Sequence, residues 1–198
     1  GHLDAGSFVY EAQGVRWCVD LGSDNYNMPG YFGGKRWNYF RLTNHSHNTL
    51  VIGDRNQAAP EEPCMITDAG GDETRQWLSI DLGPAYPKQA DAITRHARFD
   101  TTSGETGIED VIVNPAGPVR WAVVTDASIT IDGPRVTLEK DGRRLQLTRG
   151  DDAGGAWTAT AAAPPSARER QNKGYQILSF TAPKADKLRL QVRLKPAA

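Results

Sequence analysis

The feature that most constrains this chain is an alternation that begins at Trp77 and runs almost to the C-terminus. Trp77, Ser79 and Asp81 share one side of a short strand, while Leu78, Ile80 and Leu82 share the other. A period of two is the signature of extended backbone. Ile93 to Asp100 and Ile108 to Val113 follow, separated by a turn over Thr101 to Gly107. Val119, Trp121 and Val123 alternate, as do Ala127, Ile129 and Ile131 before Asp132-Gly133. Val136 and Leu138 lead into Asp141-Gly142, a strong hairpin signal, and out through Leu145 and Leu147. Tyr175 to Phe180 and then Leu188, Leu190, Val192 and Leu194 complete the series. There is no amphipathic helix and no internal repeat. Strands at such intervals predict an all-β fold, an antiparallel β-sandwich of stacked sheets, built as one domain over residues 1–198. Residues 53–76 are turn-rich and polar with no assignable element, and Ala153 to Lys173 reads as a loop.

A chain of 198 residues, 38% hydrophobic and 24% charged, can bury one substantial core. The net charge of −1 gives no global positive field to attract nucleic acid or an acidic membrane. No apolar run approaches the roughly 18 residues that cross a bilayer. Residue 1 sits directly in patterned sequence, with no leader peptide before it, and this abrupt start predicts a longer native chain. Cys18 lies in an apolar alternating run and is expected to pack as a small buried side chain; a Cys18–Cys64 bridge stays open.

Residues 1–57 carry the chemically specific sequence. Ser7 to Ala12 and Val15 to Asp20 read as two strands joined at Gln13-Gly14. A two-residue loop puts Ala12 opposite Val15 and, counting back, Ser7 opposite Asp20. His2 then lies roughly 17 Å beyond Ser7 if the strand runs straight, so residues 3–6 must turn back for His2 to approach Asp20. Asp4 and Gly6 favour such a turn. Residues 22–36 hold six glycines or asparagines with Pro29, Tyr26, Tyr31 and Phe32, the composition of a long ordered loop. Trp37 to Leu42 is the next strand candidate, and Thr49 to Ile52 a short buried one.

His2, Asp20 and His47 are of the types that ligate zinc, but their gaps of 18 and 27 residues match no compact metal motif. On spacing alone, surface histidines and a loop-capping Asp are the favoured explanation. His45 competes with His47 as a ligand and is expected to be exposed; His96, in a charged strand, reads as solvated. Aromatic faces stack on sugar rings, and Lys35, Arg36 and Arg41 can pair with carboxylates or sulfates. The alternative is that Tyr26, Tyr31, Trp37 and Tyr39 pack the loop onto the sheet. Asn44-His45-Ser46 fits a glycosylation sequon and carries no weight.

His2-Leu3-Asp4-Ala5-Gly6-Ser7-Phe8, Val15-Arg16-Trp17 with Val19-Asp20-Leu21-Gly22, Asn25-Tyr26-Asn27, Pro29-Gly30-Tyr31-Phe32 and His47-Asn48-Thr49-Leu50 resemble the heparinase II/III-like polysaccharide lyases. The match is specific over about the first 57 residues and looser afterwards. Such lyases join an N-terminal α/α toroid to a C-terminal domain of stacked antiparallel sheets, and this chain is similar to the second part. The resemblance implies that His2, Asp20 and His47 are ligands of a metal, zinc or alternatively manganese. It implies an N-terminal toroid as partner domain, an acidic polysaccharide as substrate, and a periplasmic or secreted location.

The implied reaction is β-elimination at a uronate of a glycosaminoglycan or alginate. A base removes the proton beside the sugar carboxylate, and an acid, often tyrosine, protonates the leaving glycosidic oxygen. Tyr31, ahead of Tyr39, is the expected contributor from this chain to catalysis and substrate binding. A site bridging three separate segments also suits a structural metal. The competing function is a non-catalytic metal-stabilised sandwich that binds carbohydrate or supports a partner domain.

Overall fold

The structure, a computed structural model, describes residues 1–59, 61–150 and 154–197. Every paired strand is antiparallel. A small ribbon pairs β1 (Tyr10–Ala12) with β2 (Val15–Cys18). The strands β3 (Leu50–Ile52), β4 (Ile66–Gly71), β5 (Arg75–Asp81), β6 (Ala92–Asp100) and β7 (Thr106–Val113) follow. Next come β8 (Val119–Thr125), β9 (Ser128–Asp132), β10 (Arg135–Lys140) and β11 (Arg143–Arg149). The series ends with β12 (Thr158–Ala161), β13 (Gln176–Ala182) and β14 (Lys187–Ala197). One sheet has the order β4-β5-β6-β7-β14-β11-β10-β9 and the other β12-β13-β8-β3. This is the stacked antiparallel sandwich that the alternation predicts.

The two sheets face each other across one apolar core. Trp121, Val123, Leu178 and Phe180 of the smaller sheet meet Ile112, Leu138, Leu147 and Leu190 of the larger. Trp121 stacks on Phe180 at 5.7 Å between centroids, and Trp157 packs edge-on against both rings. The smaller sheet is buried on its outer face as well, where Ala122, Val124 and Ile177 are covered by Val19 and Leu21. Burial on both faces is why Val119–Thr125 is apolar at nearly every position.

Turn chemistry sets the register. Gln13 and Gly14 both adopt positive φ, as do Asp141 and Gly142, so both hairpins turn through two left-handed residues. The first ribbon differs from the simple count in one respect. Ala12 pairs with Val15 and Glu11 with Arg16, but Tyr10 pairs with Cys18, so Trp17 is an extra residue. This bulge lets Trp17 bury its ring and donate its indole N–H to the Ala12 carbonyl (3.1 Å). The count therefore carries Asp20 opposite Phe8, not Ser7.

Three further expectations change. Trp37 to Leu42 is not a strand: Arg36–Asn38, Phe40–Leu42 and Asn44–Ser46 are single 3-10 turns closed by bonds such as Leu42 N–H to the Tyr39 carbonyl (3.0 Å). Residues 53–76 contain β4, and the stretch after Trp157 contains β12; Ala153 lies outside the described residues. The β4–β5 hairpin is exposed on both faces because a four-stranded sheet cannot cover eight strands. Trp77 lies over Gly70, whose missing Cβ would come within 2.5 Å of the ring, and bonds Asp68 through its indole N–H.

Candidate metal centre

The N-terminal segment turns back as the geometry demands. Ser7 N–H bonds the Asp4 carbonyl (2.9 Å), and Gly6 has φ of +76° with Leu82 Cδ1 only 2.7 Å from where a Cβ would stand. Gln57 then reads the turn at Ala5, accepting its N–H and donating to its carbonyl, each at 2.9 Å. Thr49 donates to the same carbonyl (2.7 Å), and Arg95 to that of Gly6 (2.5 Å). Asn48 ties three more segments, donating to the Phe8 and Val19 carbonyls and accepting the Val124 N–H. Buried polar groups are costly unless bonded, and here the bonds are complete enough to fix where His2 and His47 go.

The result is a compact cluster. The His2 and His47 rings lie 5.3 Å apart between centroids. His47, 1% exposed, places Nδ1 2.7 Å from Asp20 Oδ2 and Nε2 3.0 Å from the Arg41 carbonyl. Both ring nitrogens of His47 are thus engaged by oxygen partners. Asp20 Oδ1 also accepts the Gly22 N–H (2.7 Å). The His47 hydrogen bond above all, with help from Gly22, holds the Asp20 carboxyl down at about 2. Burial and the neighbouring His47 lower the pKa of half-buried His2.

Asp4 is the residue that spacing missed. One ligating atom each from His2, Asp4 and His47 lie within 4.8 Å of one another; Asp20, expected as the third ligand, is outside that group and instead contacts His47 Nδ1. The only sequence signal of Asp4 is a position two residues after His2, where turn formation already explained it. Two imidazoles with the Asp4 carboxylate, and the Asp20 carboxylate beside them, are donor types suited to zinc or manganese. By donor type the residues fit such an ion, whose charge the carboxylates would offset.

The other histidines stand apart. His45 is partly buried and lies 3.8 Å from Asp54, and His96 bonds Ser79 Oγ at 2.7 Å. The sequon residue Asn44 is buried, donating to the Leu50 carbonyl (3.0 Å). Cys18 and Cys64 are free thiols, Cys18 in the core.

The aromatic loop folds mostly on itself. Met28, Tyr31 and Leu42 form its small core, with Trp37 and Tyr39 against them. Tyr31 is 2% exposed, its hydroxyl accepting the Asp24 N–H (3.4 Å), whereas Tyr39 is half-buried and donates to the Pro29 carbonyl (2.5 Å). The Arg36 guanidinium lies 5.1 Å from both the Tyr31 and Trp37 rings and donates to the Tyr31 carbonyl. Arg41 is not available to an anion: it is buried, bonding the Leu21 and Ser23 carbonyls and Asn172 Oδ1. Tyr26 and Phe32 remain exposed.

The sequence model of the family described as "Heparinase II/III-like, C-terminal" matches residues 1–194. No curated protein matches the chain. The structure is similar to the heparinase III-BT4657 gene product, with TM-score 0.78, 17% identity, and coverage of 99% of this chain and 30% of that one. It is similar to the crystal structure of a heparinase III (0.74, 13% identity, 100% and 30%). The heparan sulfate lyase HepC from Pedobacter heparinus gives 0.73 at 15% identity, covering 99% and 31%. At these identities the structural likeness shows the fold, and the chain spans about 30% of the length of each. With the family model running over nearly all its residues, the chain belongs to the heparinase II/III-like C-terminal domain family.

Proposed function

We propose that this chain is the β-sheet domain of a polysaccharide lyase, one that cleaves uronate-containing polymers such as glycosaminoglycans or alginate by β-elimination. The observation that supports the reading is the convergence of His2, Asp4, Asp20 and His47 in a member of this family. In the longer parent chain an N-terminal toroid supplies the opposite wall of the site. The ion, zinc or manganese, would be held by His2, His47 and the two carboxylates. Bound there, it would fasten separate chain segments together and add positive charge to that wall of the site.

The chain's own groups divide the work. His47 is enclosed, with both nitrogens engaged, so it positions rather than shuttles protons. Its enclosure favours the reading in which the ion braces the wall of the site without touching substrate. His2 is half-buried and faces solvent more openly. Tyr39 is better placed to meet a sugar than Tyr31, whose hydroxyl is reached only if the loop opens. A tyrosine in the protonating role gives its hydroxyl proton to the glycosidic oxygen as the carbon–oxygen bond breaks.

The test has two arms. Elemental analysis of the purified chain is expected to find about one equivalent of zinc or manganese, as one such cluster implies. Assay of the parent chain for unsaturated uronate products compares wild type with His47→Ala, Tyr39→Phe and Tyr31→Phe. Loss of product in His47→Ala supports the reading; normal product from all three removes this domain from the reaction. The 198-residue chain alone is expected to show little or no lyase activity.

A further inference from the structure

The large sheet outruns its cover at the β4 end. Leu78 and Ile80 share one face of β5, and residues directly opposite in neighbouring strands share it with them. Ile80 pairs with Ile66, Leu78 with Ala69 and Ala97, and Gln76 with Phe99. Ile80 and Ala97 pack against the main core, so this is the face that the smaller sheet covers elsewhere. The smaller sheet ends at β3, and the N-terminal turn continues the cover. Ala5 and Phe8 pack on the core, with the Phe8 ring 5.7 Å from the Arg95 guanidinium. Beyond Ala97 the cover stops among the described residues: Ile66, Leu78 and Phe99 are 59%, 37% and 36% exposed.

An apolar patch left open on a core-facing side marks an interaction surface. Its rim is acidic. Between residues 61 and 81, Glu61, Glu62, Asp68, Asp72, Glu73 and Asp81 are exposed against one cation, Arg75. That is a local charge of −5 in a chain whose total is −1.

These features choose the occupant. A second copy placed here by a two-fold axis sets one acidic rim against the other, and like charges repel. A neighbour with an apolar centre and basic residues around it meets both the patch and the rim. This chain covers only 30–31% of the structurally similar chains, so a parent of their kind has most of its polypeptide outside residues 1–198. A domain that handles an acidic polymer carries basic side chains. Held in the same chain, it meets the patch at high effective concentration, and a modest interface suffices.

We propose that this face of β4, β5 and β6, centred on Ile66, Ala69, Leu78 and Phe99, is the docking surface for the N-terminal domain of the parent chain, whose basic residues pair with the acidic rim. The inference rests on the reading that this chain is one domain of a longer lyase, and it adds where the other domain is seated. The seat borders the metal cluster's own support. Arg95, two residues before Ala97 on β6, bonds the Gly6 carbonyl in the turn that places His2 and Asp4.

Hydroxyl-radical footprinting tests it by comparing the parent chain with the 198-residue chain. Oxidation of Leu78 and Phe99 is expected to fall by about threefold or more in the parent, as burial to core level gives. Ile131, 41% exposed on the far edge strand β9, is expected to react equally in both. The variant Ile66→Lys/Ala69→Lys changes only exposed side chains, so the 198-residue form is expected to melt within about 4 °C of wild type. In the parent it is expected to return Phe99 oxidation to the level of the 198-residue chain, because two lysines then face a basic neighbour. Equal oxidation of Phe99 in the two wild-type chains overturns the proposal, as does full protection in the double-lysine parent. Protection of Phe99 in the 198-residue chain that grows with concentration, alongside a dimer in sedimentation, also overturns it and gives the face to a second copy. Release of unsaturated uronate by the parent is measured separately. Product formation with Phe99 unprotected sinks this docking face alone, and protection without product sinks the lyase reading alone.

Discussion

The Arg95–Asp110 pair offers the sharpest test of how the cluster is held. Arg95 on β6 donates Nε to Asp110 Oδ1 (2.8 Å) and an Nη to Oδ2 (2.9 Å), with both side chains almost wholly buried. Its remaining nitrogen donates to the Gly6 carbonyl (2.5 Å) and the Asn48 carbonyl (3.0 Å). One guanidinium thus clamps the turn after Asp4 to the residue after His47. Asp110→Asn keeps the shape and one acceptor but leaves the cation uncompensated. Removing one partner of a buried pair costs about 3–5 kcal/mol, and the retained acceptor places this variant near the lower end. At about 2–4 °C per kcal/mol for a chain of this size, the Tm falls by roughly 6–12 °C in scanning calorimetry at neutral pH. Glu139→Gln is the control: its 2.6 Å contact with Arg144 is shorter, yet the two side chains are 48% and 62% exposed. Water already screens that pair, so its loss shifts the Tm by no more than roughly 4 °C. Zinc affinity of Asp110→Asn is expected to fall by about tenfold or more, the usual effect of outer-sphere changes. A variant that melts within about 2 °C of wild type would refute the clamp.

Four shorter predictions accompany it. Asp20 has its carboxyl lowered from 3.8 to about 2, so its contribution is complete above about pH 4 and is lost as pH falls through 2. Because the side chain is 37% exposed, the contribution is discounted to about 1 kcal/mol, and Asp20→Asn should flatten the Tm profile between those pH values. Gly6→Ala forces a side chain onto positive φ and against buried Leu82, costing about 1–2 kcal/mol and weakening zinc; unchanged melting would contradict the turn geometry. Phe180→Ala removes a ring wedged between Trp121 and Trp157 and should cost about 3–5 kcal/mol in denaturant unfolding. Zinc at about a hundredfold over its Kd should stabilise wild type by about 2.7 kcal/mol, and an equal effect on His47→Ala would remove that ligand.

Legibility followed burial geometry. Strands with one covered face, such as β7 and β11, alternate cleanly, and two-residue turns announced themselves at Gln13-Gly14 and Asp141-Gly142. β4 was invisible because all six of its residues are exposed, so nothing imposes a period on Ile66–Gly71. Trp37 to Leu42 misled in the opposite direction: its aromatic content comes from packing a loop core around Tyr31 and Leu42, not from a pleated surface. The Trp17 bulge left no mark in the hydrophobic pattern, yet it moved Asp20 by one register position. For the site, His2, Asp20 and His47 were singled out as a set by resemblance; their spacing alone had no period to read.

Their meeting depends on side chains that a hydrophobic pattern scores as noise. Asn48, Thr49, Gln57, Arg95 and Asp110 are all buried, and they spend their polar atoms on backbone, on one another or on the buried Tyr86 hydroxyl. Apolar contacts between sheets are non-directional, and volume-conserving exchanges there keep the fold while letting neighbouring parts slide. Hydrogen bonds are directional, so a one-residue slip of the N-terminal turn would break the bonds at Ala5 and Gly6 together. The sandwich core therefore supplies most of the stability, while this polar joint sets where His2 and Asp4 stand relative to His47. A substitution in the core should lower the Tm with zinc affinity nearly intact, and one in the joint should lower both. That separation makes Phe180→Ala and Asp110→Asn informative as a pair: matched losses of stability with unequal losses of zinc affinity are the expected pattern. Equal losses would mean that the cluster is held by general packing and that the joint has no special role.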